Sequence, residues 1–115
     1  MPSVTVSVRV TTLGTGYNIV IDPYRAHLTP DNDVIEWDSD CEVMIEMAHP
    51  EHFPRFVQHG YGTHHNTEHL AVSKDVAPNG TYHYKINILV DDPEDGRRGH
   101  YKNLICIDPD YKVDR

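Results

Sequence analysis

Histidine is the residue type with the most chemical potential in this chain, and most of its histidines lie in one segment. Nine histidines occur among 115 residues, and four of them fall close together. These four are His59, His64, His65 and His69, with His49 and His52 just before them. Neutral imidazole is a common ligand of Zn²⁺, Cu²⁺ and Ni²⁺ near pH 7. One hypothesis is therefore a metal site made by the four histidines, with Glu51 or Glu68 as an oxygen ligand.

The same residues also allow alternatives without a metal ion. His65 and His69 would share a face only on a helix, and Gly62 and Asn66 disfavour a helix there. The spacing matches no known ligand motif, so a solvent-exposed polar loop is the main alternative. A loop that senses pH or binds a partner is another. The whole segment 48–69 is expected to be irregular, and long loops in small domains are either functional or mobile.

Length and charge limit the architecture and the partners. A chain of 115 residues is expected to form a single domain spanning residues 1–115. The formal net charge of −8 would repel phosphate backbones, which argues against nucleic-acid binding. No apolar run approaches the roughly 18 residues of a membrane span, and no signal peptide is recognisable. We therefore expect no membrane association and a cytoplasmic location, although a mature exported domain would have the same features.

Two charged patches are expected to be solvated rather than functional. Clustered carboxylates can bind Ca²⁺, but the spacing of a calcium-binding loop is absent here. Basic pairs beside acidic residues are usually exposed loop tips. The patches are Asp91, Asp92, Glu94 and Asp95, and the basic pair Arg97 and Arg98.

The cysteine and serine residues suggest no catalytic machinery. Cys41 and Cys106 do not form a C-x-x-C pair, and we expect two reduced, mostly buried thiols, with a disulfide as the alternative. Ser39 lacks the G-x-S-x-G pattern of a nucleophile elbow. A cysteine–histidine pair would arise by chance in a chain this rich in histidine. We therefore expect no enzymatic activity.

The segments that carry these candidate residues are predicted to be mostly β-strands. Apolar residues alternate with polar ones, and proline and glycine interrupt the chain at short intervals. About seven to eight short strands at roughly 8–12-residue spacing are typical of a sandwich or a barrel. A strand at 3–10 on the sheet edge would allow pairing with a second copy, giving a homodimer. The main predicted strands are 3–10, 17–21, a hairpin of 34–37 and 41–47, 70–72, 81–90 and 101–107.

Two motifs carry a resemblance to a known family. V-I-E-W at residues 34–37, followed by a short turn and a strand, and P-N-G-T-Y-H-Y at residues 78–84 resemble the cupredoxin-like Greek-key β-sandwiches. The resemblance implies an all-β, single-domain Greek-key β-sandwich, with an immunoglobulin-like sandwich as the alternative. It also places Cys41, Ile86 and Leu89 where that family carries its copper ligands. Aliphatic side chains cannot ligate a metal, so the resemblance implies the scaffold without blue-copper electron transfer.

The leading functional prediction is a non-catalytic binding module with an unknown protein partner and no cofactor. Its candidate surface is the 49–69 segment, because binding residues commonly lie on loops held by a rigid scaffold. The alternative is a metal-binding protein that takes Zn, Ni or Cu through the histidine-rich segment.

Overall fold

The chain folds almost entirely into β-strands. The computed structural model describes residues 3–30, 32–91 and 102–114, and it does not describe the side chains of residues 66–69. Within these residues there are eight strands and one short 3₁₀ turn, which confirms the all-β prediction. The strands are β1 (Ser3–Leu13), β2 (Gly16–Asp22), β3 (Arg25–Leu28), β4 (Val34–Met47), β5 (Gly62–Ala71), β6 (Thr81–Asp91), β7 (Lys102–Ile107) and β8 (Asp110–Val113), and the turn is Pro50–His52.

The strands form a nearly closed barrel. Their order is β2-β1-β4-β6-β8-β3, with β5 also on β4 and β7 also on β6. The predicted strand at 3–10 lies within β1, whose residues 7–13 pair with β2 and whose residues 3–8 pair with β4, so that only Ser7 and Val8 have partners on both sides. A homodimer through this strand stays a prediction. Among the residues just given, no helix has the length and hydrophobicity of a membrane span.

Strand β4 organises the sheet. Its first half lies between β1, which is parallel to it, and β5, which is antiparallel. Its second half pairs with β6. The predicted hairpin is wrong here, because the strand continues through residues 38–40 with a bulge between Asp38 and Val43. The polar residues 38–40 do not form a turn, because their side chains bind β1. Asp38 pairs with Arg9 at 3.0 Å, and Asp40 accepts a hydrogen bond from the Val10 amide.

Strands β7 and β8 form almost one continuous strand along β6. The break is at residues 108–109, where a proline cannot donate a backbone hydrogen bond. The last predicted strand is 101–107, but regular structure does not end there, because β8 continues the pairing with β6 and adds β3 as a parallel neighbour. Strand β8 therefore brings Tyr111 opposite Tyr82, below the 3₁₀ turn.

The core is built from the inward residues of these strands. Trp37 is 1% exposed, and its indole N–H donates a hydrogen bond of 2.9 Å to the Tyr84 hydroxyl. The two rings meet edge to face with centroids 5.4 Å apart. Ile86 is completely buried. Alternation along β6 thus sends Tyr84 and Ile86 inward, as expected of a half-buried strand.

Candidate functional site

The sequence after β4 forms a 3₁₀ turn that brings two imidazoles together. Pro50 has the fixed φ that suits the first position of such a turn. The amides of His52 and Phe53 donate to the carbonyls of His49 and Pro50, at 3.0 and 3.1 Å. A 3₁₀ helix has three residues per turn, so side chains at i and i+3 lie above one another. The rings of His49 and His52 accordingly stack, with centroids 4.7 Å apart and planes 12° apart.

The turn is anchored to the barrel by its next residue. The Phe53 side chain is 1% exposed and meets the Tyr111 ring edge to face at 5.0 Å. The Ser73 amide donates a hydrogen bond of 2.8 Å to the His52 carbonyl. The backbone that carries the imidazoles is therefore held from both sides, and His52 is half-buried.

A carboxylate completes a group of three metal-ligand types. The Oε1 atom of Glu51 lies 3.2 Å from Nδ1 of His49. One ligand atom each from His49, Glu51 and His52 all lie within 4.8 Å of one another. Two ligands about 2.1 Å from a tetrahedral ion are separated by about 3.4 Å. The side chains of His49 and Glu51 are 43% and 67% exposed, so they can rotate to close the remaining gap.

The electrostatics favour the protonation states that bind metal. Burial, followed by the nearby His49, lowers the pKa of His52, so its imidazole is neutral near pH 7. A hydrogen bond from its own backbone amide, helped by His49, lowers the pKa of Glu51 and keeps it ionised. Neither group needs to lose a proton to water before it can bind an ion at neutral pH.

Two tyrosines form the wall of the site. The Tyr82 ring meets His49 and His52 edge to face, with centroid distances of 5.3 and 4.5 Å. The Tyr111 hydroxyl lies 2.9 Å from Nδ1 of His52. Gly80 makes room for the Tyr82 ring, because a Cβ at that position would collide with the phenol. The barrel strands thus restrain His52 more closely than His49.

The structure separates two of the histidines that the sequence grouped as ligands. The second part of the predicted loop is strand β5, and neighbouring strand residues project to opposite faces. His64 is exposed, with Nδ1 3.0 Å from Oδ1 of Asp38. His65 is buried, and its Nε2 lies 2.9 Å from the Val43 carbonyl. One ion cannot reach both imidazoles in this arrangement.

Of the remaining members of the predicted set, the structure describes the side chain of His59. The His59 ring centroid lies 6.0 Å from that of His65. The side chains of His69 and Glu68 lie outside the described residues. So do Arg97 and Arg98, and all of the acidic tip except Asp91.

No family model, curated protein or solved structure matches the chain. In the sequence, His49 and His52 stand only as neighbours of the larger histidine cluster, and Glu51 is one of two oxygen ligands expected for that cluster. The signal that identifies them is local: a proline that starts a 3₁₀ turn, flanked by histidines three residues apart.

The cysteines are both free thiols, so the disulfide alternative is wrong. Cys106 is exposed, which also corrects the expectation that both are mostly buried. Cys41 borders a groove of about 430 Å³ together with Asp40, Glu42 and Lys102. Burial raises the pKa of the Cys41 thiol above its ordinary value. A protonated thiol is a poor nucleophile and a poor metal ligand.

Proposed function

We propose that the protein is a non-catalytic metal-binding protein that holds a divalent transition-metal ion with His49, Glu51 and His52. The observation that carries the proposal is the convergence of two imidazoles and one carboxylate, with ligand atoms within 4.8 Å, on a turn anchored in the core. The sequence also suggests metal binding as an alternative function, but the histidine ligands proposed here are different residues.

The donor set selects the class of ion. Two nitrogens and one oxygen suit Zn²⁺, Ni²⁺ or Cu²⁺, whereas Ca²⁺ and Mg²⁺ prefer ligands made only of oxygen. Three protein ligands leave at least one coordination position open. Because His49 and Glu51 are exposed, that position faces solvent and would be filled by water.

We also propose that the scaffold is the cupredoxin-like Greek-key sandwich. Support comes from the two sequence motifs that carry the resemblance, because Trp37 of the first and Tyr84 of the second pack together in the core. Ile86 lies buried where that family would place its thiolate ligand. A blue-copper centre needs that thiolate in addition to two imidazoles, whereas the proposed ion site has two imidazoles and a carboxylate and lies on the 3₁₀ turn.

Binding of a protein partner through segment 49–69 stays a prediction. Val57 and Tyr61 are among its exposed side chains, at 50% and 38%. Scattered exposed apolar side chains are normal on soluble proteins and identify no partner.

Equilibrium dialysis against Zn²⁺, Ni²⁺ and Cu²⁺, followed by metal analysis, tests the proposed site. The wild-type protein should retain one equivalent of at least one ion near pH 7. The double variant His49→Ala, His52→Ala should lose it. A matched control is His27→Ala, because His27 also pairs with a carboxylate, that of Asp114, at 3.1 Å but lacks a second imidazole.

The outcomes separate this proposal from the original cluster. Uptake that survives His49→Ala, His52→Ala but disappears in His64→Ala, His65→Ala would refute the proposed ligands and favour the sequence prediction. Absence of stoichiometric uptake by the wild-type protein would refute metal binding altogether.

A further inference from the structure

Tyr111 makes a contact with the proposed metal site that the ligand set alone does not explain. Its ring is completely buried in the core, and its hydroxyl lies 2.9 Å from Nδ1 of His52. A tyrosine hydroxyl can either donate or accept a hydrogen bond. Among the described side chains, the hydrogen-bond partner of the Tyr111 hydroxyl is His52.

The contact restricts how His52 can bind an ion. A neutral imidazole carries one N–H, so one ring nitrogen donates and the other has a free lone pair. If the Tyr111 hydroxyl donates to Nδ1, the proton sits on Nε2 and neither nitrogen is free for a metal. If Nδ1–H donates to the Tyr111 oxygen, Nε2 has its lone pair available. Histidine ligands of metals commonly donate their other N–H to such a partner, which fixes the tautomer and the ring orientation.

We infer that Tyr111 is the positioning residue of this site: it accepts a hydrogen bond from Nδ1–H of His52 and thereby makes Nε2 the metal-binding nitrogen. The inference rests on the proposed function. If Tyr111 has this role, the three ligands differ in how they bind the ion. His52 is the pre-oriented ligand, held by the barrel, and His49 and Glu51 are the exposed ligands that close on the ion.

The variant Tyr111→Phe tests this role while keeping the aromatic ring in the core. The affinity for Zn²⁺, measured by calorimetric titration, should fall roughly 10- to 100-fold, as is typical when the partner of a ligating histidine is lost. The matched control is Tyr84→Phe, which also removes a buried tyrosine hydroxyl but one that bonds to Trp37. Tyr84→Phe should bind Zn²⁺ with the wild-type affinity.

A second readout distinguishes positioning from a general loss of stability. Long-range proton–nitrogen NMR spectra of the Zn²⁺-loaded wild-type protein should show His52 protonated at Nδ1 and ligated at Nε2. Ligation through Nδ1, or wild-type affinity in Tyr111→Phe, would refute the positioning role while leaving the metal site intact. Absence of Zn²⁺ binding by the wild-type protein would instead refute the proposed function, and this inference with it.

Discussion

Replacing Phe53, the residue that anchors the 3₁₀ turn, with alanine should both destabilise the protein and abolish metal binding at the proposed site. Phe53 is 1% exposed and packs edge to face on Tyr111 at 5.0 Å. Phe→Ala substitutions in cores typically cost about 3–5 kcal/mol, including about 0.5–1.5 kcal/mol for an aromatic pair. A domain of this size has a free energy of unfolding of about 5–15 kcal/mol. Phe53→Ala should therefore remove a large share of the stability but leave a folded population.

Urea unfolding monitored by Trp37 fluorescence measures this effect. With a urea dependence of about 2 kcal/mol per molar, a loss of 3–5 kcal/mol lowers the midpoint by about 1.5–2.5 M. The control is Phe56→Ala, because Phe56 is the other phenylalanine of the chain and is only partly buried. It should cost about 1 kcal/mol. Equal midpoints for the two variants, or a Phe53→Ala variant that binds Zn²⁺ normally, would refute the anchoring role.

Three further outcomes follow from the core and the wall of the site. Tyr84→Phe leaves the buried Trp37 N–H without its 2.9 Å partner, so unfolding in urea should show a loss of about 1–3 kcal/mol, and no loss would contradict that bond. Burial raises the pKa of Tyr84 above the unfolded value of about 10. Its contribution to stability is therefore fully present below pH 10 and declines as the pH rises further, so the urea midpoint should be lower at pH 11 than at pH 9. Gly80→Ala should displace the Tyr82 ring, visible as changed ring-current shifts in NMR spectra, whereas Gly60→Ala, where nothing lies within 4 Å of the added Cβ, should leave them unchanged.

Local alternation was sufficient to predict several strands. Val6 and Val8 in β1 alternate with polar residues, and both are completely buried. The predicted strand at 81–90 corresponds to β6, Thr81–Asp91. In these segments the period of two is visible without knowing the partner strand, because one face meets the core and the other meets solvent.

Other elements depend on pairing that the local sequence does not contain. Residues 62–65 are polar and rich in glycine and histidine, yet they form a strand because β4 offers them an edge. The polar residues 38–40 read as a turn but are held extended by Arg9 and by the Val10 amide of β1. Strand β3 is also missed, since its four residues form a strand through parallel pairing with β8.

The candidate site also contains one part that the local sequence indicates and one part that depends on the fold. The run His49-Pro50-Glu51-His52 contains its own signal, because a 3₁₀ turn aligns residues three apart. Tyr111 is 59 residues away from His52, and only the continuation of β8 past a proline brings it under the turn. Sequence reasoning therefore could have found the ligands but not the residue that orients one of them.

Anomalous X-ray diffraction at the zinc absorption edge, from crystals grown with Zn²⁺ near neutral pH, tests the central claim most directly. Our account predicts a peak about 2.0–2.2 Å from one nitrogen each of His49 and His52 and from a Glu51 oxygen. A map without density at that position, or with its strongest peak on His64 or His65, would contradict it.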